Sequence, residues 1–165
     1  MEMGIDPLPD YVPPAEFVTG LEADENGQAP LVLMTGAAHH FVTTSMANQP
    51  SLVAKEGSPF IELHPEDAAA RGVADGDDVL VANARGWCRL RAVVTDDVLP
   101  GMAVSPKGRW AAKSSDGRNV NWVTPDAIAD LAGQSTFHSN LVHVRLAEPR
   151  LSESGRELTL TAVAD

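Results

Sequence analysis

The segment from Val79 to Val94 constrains the fold more than any other. Val79-Leu80-Val81-Ala82-Asn83 is an aliphatic run of strand composition, and Ala84-Arg85-Gly86 supplies a hairpin turn. In the returning arm, Trp87, Arg89 and Arg91 alternate with Cys88, Leu90 and Ala92. Successive side chains of a strand point to opposite faces, so one face is apolar and the other carries the arginines. Leu31–Met34, Phe60–Leu63, Met102–Ser105 and Leu141–Leu146 read as further short strands, and Leu158–Val163 as one more. His64-Pro65-Glu66-Asp67 opens a short helix over Ala68–Arg71, which Gly72 ends. Pro125–Ala132 reads as a second helix, ended by Gly133, and residues 106–119 as a long loop. Five to seven short strands, two short helices and many Gly/Pro turns predict a mainly β fold, a small barrel or sandwich with helical caps.

Composition narrows the function classes. The 165 residues are 44% apolar, enough for one hydrophobic core, and only 5% aromatic, so that core must be mostly aliphatic. A single cysteine, Cys88, excludes an internal disulfide framework and a multi-cysteine metal site. The net charge of −11 argues against a general nucleic-acid binder. No apolar run approaches the roughly 18 residues of a membrane span. No basic leader followed by an apolar stretch opens the chain. A cytoplasmic location, with any export signal upstream, is the expectation.

The charge is uneven. Residues 1–30 hold seven acids, no Lys or Arg, and five prolines, the composition of an extended arm or linker; residues 31–165 form the domain. Residues 85–118 carry Arg85, Arg89, Arg91, Lys107, Arg109, Lys113 and Arg118 against three acids, a net +4. Such a window is either a solvated face or a local anion site.

Several groups carry candidate chemistry. His39-His40 lies in a polar loop, as a ligand-contacting histidine rather than a zinc site. Thr43-Thr44-Ser45 offers three hydroxyls, as a helix N-cap or as a start whose free N–H groups take phosphate. Pro106-Lys107-Gly108-Arg109-Trp110 joins two cations, a glycine that permits close approach, and an indole. Asn119 and Asn121, two apart in an extended segment, share a side; they are either ordinary turn asparagines or carboxamides that suit a heterocycle such as a pterin or purine. Cys88 has no partner base, and no G-x-S-x-G elbow exists, so a self-contained hydrolase lacks its nucleophile–base pair.

From Leu31 to Leu146 the order of these segments resembles the C-terminal molybdopterin-dinucleotide-binding domain of the dimethyl sulfoxide reductase family of molybdenum and tungsten oxidoreductases. Leu33-Met34-Thr35-Gly36 leads into a His-bearing loop and Val42-Thr43-Thr44-Ser45-Met46-Ala47-Asn48. The most specific stretch is His64 to Asp77, followed by Val79 to Gly86 and by Val94 to Gly101. Gly108-Arg109-Trp110, Asn119 to Thr124 and Gly133 to His138 complete the series.

The resemblance implies a double-psi β-barrel that holds molybdopterin guanine dinucleotide. The molybdenum or tungsten would be held by N-terminal catalytic domains, the implied partners, which lie outside this chain. It carries Gly36, His40, Thr43, Thr44 and Ser45 onto the first cofactor loop, and Lys107, Gly108 and Trp110 onto the second. Asn121 falls near the pterin, and Phe137 and His138 on the last contact loop. The Gly86 hairpin and the helix after His64 are fold-defining, with Asp67 capping the helix start. Many members have arginine where this chain has Ala37, and asparagine where it has Thr43. The leading expectation is a cofactor-holding module of an oxidoreductase, not catalytic alone. The alternative is a stand-alone barrel whose basic window docks an acidic partner protein or peptide.

Overall fold

The computed structural model describes residues 11, 13–14, 16–17, 22–129 and 133–147. Six strands close into a barrel: β1 (Leu31–Met34), β2 (Phe60–Leu63), β3 (Asp78–Asn83), β4 (Gly86–Val94), β5 (Met102–Val104) and β6 (Leu141–Leu146). Their order around the barrel is β1-β5-β2-β4-β3-β6. Two pairings are parallel, β1 with β5 and β2 with β4, and the others antiparallel. Parallel neighbours that are not consecutive force the chain to cross over twice, the topology of a double-psi β-barrel. Closure leaves no strand edge unpaired. The strand at Leu158–Val163 lies outside the described residues.

The alternation seen in the sequence sets the register. Cys88, Leu90 and Ala92 are buried and face Val81 and Val79 across the β3–β4 pair, while Arg91 is exposed. Leu31, Leu33, Ile61, Leu63, Ala103, Val142 and Val144 complete an aliphatic lumen without a ring. Filling a narrow barrel with branched chains gives close packing in defined rotamers.

Among the elements described in full, two helices flank the barrel, α1 (Pro50–Glu56) and α2 (Pro65–Ala70). In α2 the N-cap is His64, whose Nδ1 accepts the Glu66 N–H at 3.2 Å. Asp67 therefore is not the cap: its carboxylate accepts from Arg71 Nη1 at 3.3 Å and from the Gly101 N–H at 2.7 Å, tying the helix to the start of β5. The helix expected over 125–132 does not form in its described part. Ile128 bridges to Ser135, and Thr136 donates to the Ala127 carbonyl through both its N–H and its Oγ1. An isolated antiparallel bridge between nearby segments takes hydrogen bonds that a helix would have used.

Residues of the acidic segment touch the barrel. Arg71 Nη2 donates to the Ala29 carbonyl at 2.6 Å, Gln28 Nε2 to Ala70 at 2.9 Å, and Asp24 lies 3.9 Å from His143 Nδ1. Two backbone N–H groups, of Gln28 and Asn26, help to hold the Asp24 carboxyl below its usual range, against a smaller opposing effect of burial.

Candidate functional site at one mouth of the barrel

The C-terminal ends of β1, β3 and β5 and the N-terminal ends of β2, β4 and β6 lie at one mouth of the barrel, as the pairing registers require. All eleven expected site residues sit on loops at this mouth. Among the described residues the buried polar side chains are Thr35, Ser105 and Asn140, which follow β1, follow β5 and precede β6. They form a polar layer above the aliphatic lumen. Ser105 Oγ donates to the Phe60 carbonyl at 2.8 Å. Thr35 Oγ1 and Asn140 Nδ2 have no hydrogen-bond partner among the described residues.

Beyond this layer the parallel β1–β5 ladder continues into the loops. The Ser105 N–H donates to Met34, the Lys107 N–H to Gly36 at 2.9 Å, and the Ala38 N–H to Lys107 at 3.3 Å. The first and second cofactor loops thus leave the barrel side by side. The second loop presses on the first at Gly108, whose φ is +113°. A Cβ there would lie 2.1 Å from the Thr43 carbonyl oxygen, so only glycine permits the approach. Two residues further on, Trp110 Nε1 donates to the Thr44 carbonyl at 2.9 Å.

The supported loop has left-handed backbone at Thr43 (φ +51°) and Met46 (φ +68°). It closes on reciprocal Val42–Ser45 hydrogen bonds. Thr43-Thr44-Ser45 is therefore a strained turn and not the N-cap expected from its hydroxyls. The helix begins later, at Pro50, after Gln49. Thr43, Thr44 and Ser45 are exposed. Among the described residues the backbone N–H groups of Gly36, Thr43 and Thr44 meet no acceptor. Successive free N–H groups on such a turn form a concavity for an anion.

Lys107 places its ammonium 3.8 Å from the centre of the Phe137 ring, and Phe137 packs on His138 with ring centres 4.2 Å apart. The Thr35 N–H donates to His138 Nδ1 at 3.4 Å, which draws the last contact loop onto the end of β1. Gly36, Lys107, Phe137 and His138 thus form one group, joined through the 107–110 segment to Thr43, Thr44, Ser45, Gly108 and Trp110.

The other two expected residues stand apart. His40 is held from its main chain by Glu56, whose carboxylate accepts the His39 and His40 N–H groups at 3.3 and 2.9 Å. The Glu56 carbonyl in turn accepts from Arg109 Nη2 at 3.2 Å. Burial weakens the hold of Arg109 on its proton, and Glu56 opposes this. Asn121 is exposed on a 3-10 turn, Val120–Trp122, across the mouth near the β3–β4 hairpin. Asn119 does not share its side. Its Oδ1 caps the turn through the Asn121 N–H, and its Nδ2 donates to the Arg109 carbonyl at 2.7 Å.

The basic window does not form one face. Arg91 donates to Gly76 at the far end of the barrel, Arg118 lies between the rings of Trp87 and Trp122, and Arg109 lies over Phe41. Of its seven cations, Lys107 is the one that stands in the Phe137–His138 group. Cys88 is buried, and burial pushes its thiol up to about 12, far from a nucleophile's range. Among the described residues no cluster of three or more His, Cys, Asp or Glu could hold a metal ion.

The residues present fit a dinucleotide with a diphosphate bridge. The mouth combines exposed N–H groups and hydroxyls, an ammonium held against a ring, a half-exposed indole, and a buried threonine oxygen without a partner among the described residues.

Comparisons with known proteins agree. Residues 31–141 match the family described as "Molydopterin dinucleotide binding domain". The chain is 33% identical over 141 residues to a probable oxidoreductase, YoaE, of Bacillus subtilis, and covers 19% of that protein. It is 36% identical over 149 residues to biotin sulfoxide reductase of Cereibacter sphaeroides, again covering 19%. It is 31% identical over 144 residues to dimethyl sulfoxide reductase DmsA of Escherichia coli, covering 17%. These alignments take in 84–86% of this chain, which spans less than a fifth of each relative's length. Among solved structures, acetylene hydratase from Pelobacter acetylenicus superposes with a TM-score of 0.73 at 23% identity, over 88% of this chain and 22% of that one. That superposition shows the same fold. By its barrel, its loop mouth and its sequence, this chain belongs to the molybdopterin dinucleotide-binding domain family of the molybdenum oxidoreductases.

Proposed function

We propose that the mouth of the barrel holds the guanine dinucleotide form of molybdopterin, and that the chain works as a holding module within a larger oxidoreductase. The observation that carries this reading is the braced Thr43 turn. Gly108 packs against its Thr43 carbonyl and Trp110 donates to its Thr44 carbonyl, while the Thr43 and Thr44 N–H groups meet no acceptor among the described residues. Gly36, Thr43, Thr44 and Ser45 supply neutral donors to a diphosphate, and Lys107 supplies charge. Asn121, Phe137 and His138 face the heterocyclic end, with His40 at the margin by α1. When bound, such a cofactor supplies the redox chemistry at a molybdenum or tungsten held by catalytic domains that are the partners of this one; the protein orients it. The chain's own work is to bind, to exclude water from the diphosphate, and to fix the pterin's angle.

The Lys107 ammonium lies over the Phe137 ring. Both residues are half-buried, where a cation over a ring is stabilised by about 0.5–2 kcal/mol, against about 1.5–3 kcal/mol for a hydrogen bond to a charged group, so a diphosphate draws it off. Titration of the 165-residue chain with inorganic pyrophosphate and with GDP, read by calorimetry, tests the reading. Saturable binding that falls about tenfold in Lys107→Ala supports it. Absence of binding by either probe, or turnover of a sulfoxide by the purified chain alone, refutes it.

A further inference from the structure

The β3–β4 turn carries two side chains that reach inward over the mouth. Asn83 Nδ2 donates to the carbonyls of Val123 at 2.7 Å and Leu141 at 3.0 Å. Arg85 does more. Its Nε and Nη2 both donate to the Val123 carbonyl, at 3.1 and 2.8 Å, and Nη2 also donates to Asn140 Oδ1 at 2.6 Å. Its Nη1 pairs with Glu16 of the acidic segment. The second oxygen of Glu16 accepts the Leu141 N–H at 2.9 Å, at the start of β6. The pair is partly shielded, with 31% of the Arg85 side chain and 26% of Glu16 exposed.

One guanidinium therefore joins three segments. Val123 ends the turn that presents Asn121, Asn140 ends the loop that presents Phe137 and His138, and Glu16 lies more than a hundred residues earlier. A planar fork with five donors is suited to such a node, whereas an ammonium is not. We infer that Arg85 is a positioning residue that sets the Asn121 turn and the Phe137–His138 loop relative to one another, and that Glu16 locks it. The inference rests on the assignment of those three residues to the cofactor's heterocyclic end. On this view the acidic segment is part of the site's frame and not only a tether.

The test is site-resolved amide hydrogen exchange on the full chain, unmodified and as Glu16→Gln and Arg85→Gln. The reporters are Trp122, Val123 and Ser139, whose N–H groups are bonded within the two loops and are not touched by Glu16. The controls are Ser105 and Lys107 on the β1–β5 side. Loss of the charge-assisted pair is expected to speed exchange at the three reporters about tenfold in Glu16→Gln, leaving the controls within about twofold. Arg85→Gln is expected to act more strongly in the same pattern, and Arg85→Lys is expected not to restore it. Because Arg85→Gln leaves acceptors unpaired and can impair folding, Glu16→Gln is the decisive variant. Unchanged reporters, or equal acceleration at reporters and controls, overturns the inference. The readout needs no cofactor, so its failure is distinct from a failure of pyrophosphate binding in the unmodified chain.

Discussion

Replacing Gly108 by alanine tests the architecture of the mouth at one atom. The new Cβ would stand 2.1 Å from the Thr43 carbonyl oxygen and 3.0 Å from its carbon, both backbone atoms. Backbone cannot rotate out of the way as a side-chain tip does, so either the Thr43 turn or the 107–110 segment must shift. The φ of +113° adds a second cost, since an L-residue is strained there by about 1–3 kcal/mol. Relieving the overlap by displacing packed atoms costs a further 1–3 kcal/mol or about that. The combined loss of about 2–6 kcal/mol is a large part of the roughly 5–15 kcal/mol that stabilises a domain. At roughly 2–4 °C per kcal/mol for a chain of this size, Tm falls by about 5–20 °C. Gly101→Ala is the matched control: its φ is also positive, +81°, but nothing lies within 4 Å of its added Cβ. It should lose only the strain contribution. Thermal and urea unfolding of the three proteins, with pyrophosphate titration of each, gives both readouts. If Gly108→Ala unfolds like Gly101→Ala and binds pyrophosphate like the unmodified chain, the bracing argument is wrong.

Three further outcomes follow from single side chains. Trp110→Phe keeps the ring but loses the donor to Thr44, which should cost about 1 kcal/mol by urea unfolding and weaken pyrophosphate binding. Cys88 should resist a thiol-reactive disulfide reagent at pH 8 in the folded chain and react at once in denaturant. Its raised folded pKa, about 12 against about 9 unfolded, also means that stability is intact below pH 9 and declines from there toward pH 12; Cys88→Ala should flatten that limb. Burial, with a smaller push from Asp97, raises the Glu62 carboxyl above its usual range, so its favourable contribution is full below about pH 4.5 and is lost as the pH rises through the folded value. Glu62→Gln should therefore be more stable than the unmodified chain at pH 7 and no more stable at pH 3.5, by urea midpoints.

The strands were legible because their burial is periodic. Trp87–Val94 alternates residue by residue, and the lumen takes every second one. Leu141–Leu146 and Phe60–Leu63 appear where their composition puts them. Helix α1 was not legible: Pro50–Glu56 has no acidic first turn, its N-cap Gln49 makes no capping bond, and none of its residues is fully buried. The second helix expected after Pro125 shows the opposite error, a helical composition overruled by the Ile128–Ser135 bridge. At the mouth, Gly108 and Trp110 could be singled out by residue type, but the reason for each is a partner more than sixty residues away. The left-handed Thr43 could not be read at all, since a β-branched residue avoids that backbone unless tertiary contacts impose it. Arg85 and Glu16 were hidden for a related reason: a charge in a turn and an acid in a proline-rich segment carry no local mark of a shared hydrogen-bond network.

The polar layer of Thr35, Ser105 and Asn140 gives the barrel two unequal ends. At the far end Ala68 and Val73, from α2 and the turn after it, pack onto the lumen. Among the described residues two buried polar atoms at the mouth, Thr35 Oγ1 and Asn140 Nδ2, lack partners against one, Arg71 Nε, beside the helix at the other end, and each such group weakens the local cohesion. Water that enters the barrel under pressure or denaturant therefore enters from the mouth, and opening propagates from there. A ligand seated on that side acts as a stopper at the weak end. It adds RT ln(1 + [L]/Kd) to the stability of the whole barrel, about 2.7 kcal/mol at a hundredfold excess over Kd. Cofactor loading would then be felt as resistance to unfolding by every strand, including those that touch no part of it.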